Sequence, residues 1–223
     1  FIVNKQPTFS SFQMLLSKGY GIEGDYSIGI GATTPTVYIF NDQGYYDTGF
    51  NIDTNWSILC NANKPFEFVK FYHNGNMVFQ TTTDKDLVGT NSSLFCIGSS
   101  EGNNYFFNGE MAEIIIYDST LSDSQRISVQ QYLRYKYAPP VDLGPDINIA
   151  YGFCDTALHA GNRFVDYAWK KSGSNDTISV ASSLPVTETG TYSVTVTDDF
   201  GYTSTDVINV TFPNTDLNIS NFT

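Results

Sequence analysis

The sequence is short of charge, shorter of basic residues, and nearly without cysteine and histidine. Charged residues fill 15% of its 223 positions, where soluble domains average about 25%. Eleven Lys and Arg face 23 Asp and Glu, a formal net charge of −12. Nucleic-acid binding is therefore excluded, because phosphate contacts need stripes of Lys and Arg. The longest uncharged apolar run is about four residues. A membrane-spanning helix needs about 20, so no membrane insertion is expected. Three cysteines make no disulfide scaffold, and no Cys-x-x-Cys offers a zinc or redox motif. The two histidines, His73 and His159, fall in different halves, which argues against a Ser-His-Asp or metal centre built on them.

What is present instead is aromatic and neutral-polar. Fifteen Tyr and 17 Phe help bring the hydrophobic share to 41%, too apolar for a disordered chain. Asn, Ser, Thr and Gly must supply most of the surface. Short apolar runs punctuated by Gly, Asn and Asp read as strands: 26–30, 36–40, 56–60, 66–72, 77–81, 94–98 and 111–117. The segment His73-Asn74-Gly75-Asn76 reads as a type I′ hairpin turn, since Asn-Gly supplies the positive φ it needs.

One helix stands out. Ser122 followed by Gln125 has capping-box spacing. Val129, Tyr132, Leu133 and Tyr137 then fall close to helical spacing, and Arg134 and Lys136 suit the last turn. Pro139 and Pro140 end the helix and place a domain boundary at residues 138–141. The expected division is 1–138 and 139–223. The first part carries 13 acidic and 8 basic residues, net −5; the second carries 10 and 3, net −7. In the second part, Tyr192, Val194 and Val196 alternate on one strand, and Ile208, Val210 and Phe212 on the next. Asp198-Asp199-Phe200-Gly201 forms the turn between them.

The first part resembles a known family. Gly109, Ala112, Glu113, Ile114 to Tyr117, Leu121, Ser122, Asp123, Tyr132, Leu133, Lys136 and Tyr137 resemble the end of laminin-G-like domains of bacterial surface proteins. Leu15-Leu16-Ser17-Lys18-Gly19, Tyr72-His73-Asn74-Gly75 and Ile97-Gly98-Ser99 match upstream in order. The resemblance covers about residues 1–137 and implies a concanavalin A-like jelly-roll sandwich with one C-terminal helix. The family's first strands are expected to be missing before Phe1, which itself reads as the middle of a strand.

Residues 141–212 resemble an immunoglobulin-like module. Val141 to Asp146 resembles its opening, Trp169 its core tryptophan, and Glu188 to Val194 its tyrosine corner, with Val194 in the usual second-cysteine position. Cys154 then lacks an evident partner. Cys60 and Cys96 lie on strand runs of the first part, either as two thiols or as a bridge. The overall expectation is all-β: a jelly roll followed by an immunoglobulin-like sandwich.

The resemblance implies a non-enzymatic adhesion or binding segment of a larger secreted bacterial protein, displayed at the cell surface. A glycan or surface ligand would be its partner, and the bacterial secretion and gliding machinery its context. Alternatives are an accessory region of a secreted polysaccharide hydrolase, or a ligand-free module of a surface filament. Hydrolases of this fold place paired carboxylates in one cleft. Glu110 and Glu113, three apart on a strand, are expected on opposite sides. Some relatives bind calcium through loop acids, which here include Asp42, Asp47, Asp53, Asp84 and Asp86. No spacing matches a closed calcium motif, and calcium stays open. Sugar recognition would use ring faces, and the candidate residues are Tyr45, Tyr46, Trp56 and Tyr105.

Overall fold

The computed structural model describes residues 1–6, 8–19, 26–32, 34–41, 44–83, 92–101, 104–150 and 156–213. Two compact units divide the chain, Phe1–Lys136 and Tyr137–Thr223.

In the first unit, strands β1 (Ile2–Lys5), β2 (Gln13–Lys18), β3 (Tyr26–Ile30), β4 (Thr36–Asn41) and β5 (Gly44–Asn51) precede β6 (Trp56–Lys64), β7 (Phe68–His73) and β8 (Asn76–Thr82). Then come β9 (Phe95–Ile97), β10 (Glu110–Ile114) and helix α1 (Asp123–Tyr137). They form two five-stranded antiparallel sheets, ordered β10-β1-β6-β7-β8 and β5-β4-β3-β2-β9. One apolar core joins the sheets: Ile2, Leu59, Val69 and Phe71 from the first meet Leu15, Leu16, Ile28, Ile30, Val37 and Ile39 from the second. Burying each such side chain contributes about 1.5–3 kcal/mol before chain entropy is counted.

Local chemistry accounts for the joints. Asn74 and Gly75 both have positive φ, 48° and 86°, which is the type I′ geometry that closes the β7–β8 hairpin. Ser122 accepts the Gln125 backbone N–H at 3.3 Å, and the Gln125 side chain accepts the Ser122 N–H at 2.9 Å. The capping box thus starts α1. Its buried face differs from the expected apolar one: Arg126, Gln130 and Leu133 are buried, while Tyr132 is exposed. The Arg126 guanidinium lies 3.9 Å from the centre of the Tyr72 ring, and Gln130 packs over Gly75. A cation and an amide therefore seat the helix on the β7–β8 hairpin, because a planar guanidinium covers a ring face well.

The second unit comprises β11 (Ile147–Asn148), β12 (Thr156–His159), β13 (Phe164–Lys171), β14 (Ser183–Val186), β15 (Gly190–Asp198) and β16 (Thr203–Thr211). A four-stranded sheet, β11-β16-β15-β13, packs on the pair β12-β14. Tyr192, Val194, Val196, Ile208 and Val210 are buried between them, as the alternation predicts. Trp169 is fully buried and donates its indole N–H to the Ala181 carbonyl at 2.8 Å. The Tyr192 hydroxyl donates to the Glu188 carbonyl at 2.9 Å.

Candidate functional site

Side chains alternate between the two faces of a strand, and that rule sorts the aromatics of β2–β5. Ile28, Ile30, Val37 and Ile39 face the core. The residues between them, Ser27, Gly29, Tyr38 and Phe40, face outward. Register brings Phe40 beside Tyr45, Tyr38 beside Asp47 and Gly29 beside Tyr38. On this outer face the rings of Phe12, Tyr38, Phe40, Tyr45 and Tyr105 form one connected cluster. Phe12 touches three of them: Tyr105 at 5.2 Å, Phe40 at 5.8 Å and Tyr38 at 6.1 Å between ring centroids. Tyr45 meets Tyr38 at 5.7 Å and Phe40 at 5.9 Å. Each contact contributes about 0.5–1.5 kcal/mol beyond burial.

Two rings of the platform remain open to solvent. Tyr45 is 62% exposed and Tyr105 41%. Tyr105 is held from beneath: its carbonyl accepts the Met14 N–H at 2.8 Å, and Ser100 and Asn104 exchange backbone hydrogen bonds at 2.7 and 3.2 Å. Its φ is 52°, the left-handed region that disfavours a side chain by about 1–2 kcal/mol. The loop thus holds the ring over Phe12 at some conformational cost. Polar groups border the platform. Thr36 donates to the exposed Asn51 side-chain oxygen at 2.7 Å, and Asp47 accepts the Gly49 N–H at 2.8 Å.

Of the four aromatics singled out from the sequence, Tyr45 and Tyr105 meet here. Tyr46 does not: one residue on, it turns inward, packs against the core and donates its hydroxyl to Thr83 at 2.8 Å. Trp56 sits half-buried on β6 of the other sheet, in register with Lys5. The sequence reading missed Phe12, Tyr38 and Phe40. The alternation Tyr38-x-Phe40, opposite to that of the core residues, was the available signal.

Glu113 is engaged by Lys136, whose ammonium lies 3.0 Å away and is held protonated well above its usual range by that bond. Asp53 accepts the Asn55 backbone N–H at 2.8 Å, and no group of three or more potential metal ligands occurs among the described residues. Asp42, Asp84, Asp86 and Cys154 lie outside the described residues. Cys60 and Cys96 are free thiols on opposite sheets, so they form no bridge. Burial raises the Cys60 thiol to about 11.

A cavity of about 560 Å³ opens beside Phe1, between β6 and the segment 115–121. Ile2, Leu16, Ile28 and Leu59 line it, and these are residues of the core itself. It is continuous with the sandwich interior, whereas the ring platform stands clear of it.

No helix among the described residues is long and apolar enough to cross a membrane. No curated protein matches the chain. A solved structure titled "putative carbohydrate binding protein from Bacteroides ovatus ATCC 8483" is similar over 56% of this chain and 38% of its own, at 18% identity and a TM-score of 0.47. The "Binding domain of Botulinum Neurotoxin DC in complex with SialylT" is similar over 91% of this chain and 55% of its own, at 14% identity and a TM-score of 0.42. The chain thus spans little more than a third to about half the length of these structures. A laminin-G family profile, described as the concanavalin A-like lectin/glucanases superfamily, matches residues 5–125. That is more than half of the chain, and by its jelly-roll-type first unit this chain belongs to the concanavalin A-like lectin/glucanases superfamily.

Proposed function

We propose that this chain is a non-enzymatic binding segment of a larger secreted bacterial protein, with the aromatic platform of the first unit as its glycan-binding face. The observation that carries the reading is the exposed pair Tyr45 and Tyr105 on a base of Phe12, Tyr38 and Phe40. A ring face stacks on the apolar C–H face of a sugar, and neighbouring Asn, Asp and Thr groups can meet its hydroxyls. A platform on a rigid sheet binds with little reorganisation. The superfamily description covers both lectins and glucanases; the lectin side is favoured here because Glu113 is committed to Lys136.

In this reading the second unit is an immunoglobulin-like spacer. Its buried Trp169 and the Tyr192 hydroxyl bond to the Glu188 carbonyl support that reading, as does the packing of its two sheets. The whole would serve adhesion at the cell surface, with the secretion and gliding apparatus as its export context.

Glycan-array binding tests the proposal. Tyr45→Ala and Tyr105→Ala should each lower affinity about tenfold, the upper end of one ring contact. Tyr46→Phe should leave binding unchanged, since Tyr46 faces the core. Unaltered binding in both alanine variants would remove the platform from the function.

A further inference from the structure

We propose that the aromatic platform selects neutral glycans and discriminates against sialylated, uronate-bearing and sulfated ones. This rests on the glycan-binding reading above and adds the chemical class of the ligand.

The charge layout of the sheet carries the inference. Across β2, β3, β4 and β5 the only acidic residue is Asp47 and the only basic residue is Lys18. Asp47 stands on the platform face, in register with Tyr38 and two residues from Tyr45 on the same strand. Lys18 pairs with Tyr26 and lines the cavity beside Phe1, on the opposite face. Near Tyr105, the backbones of Ser100 and Asn104 pair, and Glu101, next to Ser100, is exposed. The platform therefore offers an anionic ligand rings and a carboxylate, with no cation on the described strands of that face.

Three physical effects act in the same direction. The face of an aromatic ring is the negative end of its quadrupole, so it attracts cations and repels anions. A ligand carboxylate or sulfate pressed against the rings loses water and meets only neutral donors, such as the tyrosine hydroxyls, with no cation to pair it. Asp47 adds direct repulsion. At about 5 Å this weakens binding about fourfold at the dielectric of water and over a hundredfold at an effective value of 20. A neutral sugar meets none of these costs. It gains the ring stacking and uses Asp47 as an acceptor for its hydroxyls.

The test is a glycan array of matched pairs, each a neutral glycan and the same glycan carrying one sialyl, uronate or sulfate group. It is read with the wild type, Asp47→Asn and Asp47→Lys at two salt concentrations. Asp47→Asn keeps a side-chain oxygen for the Gly49 N–H, so the turn is retained, and circular dichroism checks the fold of both variants. The wild type should bind neutral members at least about fivefold more tightly. The gap should narrow in Asp47→Asn and with added salt, and close or invert in Asp47→Lys. Equal or tighter binding of the anionic members by the wild type, still lost in Tyr45→Ala, would overturn charge selection and leave the platform reading intact. No binding to any glycan on the array would overturn both.

Discussion

Phe12 lies directly over Gly29: a Cβ added at Gly29 would sit 2.6 Å from the Phe12 Cζ. The glycine leaves a gap in the outer face of β3, and the ring fills it while touching Tyr38, Phe40 and Tyr105. The platform is thus keyed to one absent side chain.

Gly29→Val should push Phe12 off the sheet. Overpacking of this kind destabilises by about 1–3 kcal/mol, which a urea titration would read. Glycan binding should fall further than stability does, because the base under Tyr105 is lost. Gly49→Ala, at an open position with φ of 65°, should cost stability through strain while leaving the ring cluster in place.

Arg126 tests how α1 is held. Its side chain is 11% exposed, its Nε lies 3.6 Å from Asp123, and its guanidinium covers Tyr72. Arg126→Ala should lower stability by about 1–3 kcal/mol, through lost stacking and packing. Arg126→Lys should recover little of it, since an ammonium lacks the planar face. Denaturant midpoints decide this, and recovery of the wild-type midpoint by Lys would mean that charge alone matters.

His73 introduces a pH dependence. Burial lowers its pKa from 6.5, against a smaller opposing pull from Asp53, and it sits 3.0 Å from the Ser57 hydroxyl and 4.7 Å from the Phe50 ring. A folded-state value below the unfolded one means that the unfolded chain takes up the proton first. Stability from this group is complete above about pH 6.5 and is lost as pH falls through the lower folded value. Thermal melts from pH 7.5 to 4.5 should show a decline that His73→Gln reduces. An identical decline in the variant would assign it to other groups.

The second unit should respond to Trp169 and Tyr192 in different ways. Trp169→Ala empties a fully buried site and should cost about 3–5 kcal/mol. Tyr192→Phe removes the hydroxyl that bonds the Glu188 carbonyl and should cost about 0.5–1.5 kcal/mol. Calorimetry resolving the two units would show both losses confined to one transition.

Much of the local structure was legible in the residues. Asn74-Gly75 named its turn and Ser122 with Gln125 named the helix start, because each motif meets its backbone requirement within four residues. The alternation of Tyr192, Val194 and Val196 named a buried face, because the two-residue period of a strand is local. The face of α1 was only partly legible. Arg126 and Gln130 are polar by type and buried by position, and nothing in the helix itself announces Tyr72 or Gly75 as their partners.

The aromatic platform lies beyond what such patterns convey. Composition and pattern alone specify an acidic, aromatic, strand-rich chain with little capacity for polyanions, and Tyr45 and Tyr105 stood among the candidates. Folding shows which of Tyr45 and Tyr46 faces solvent, since a shift of one residue reverses the face. It also gathered Phe12, Tyr38, Phe40, Tyr45 and Tyr105 from two strands and two separate loop segments. Cross-strand neighbours are chosen by register and sheet order, which depend on how the whole core packs.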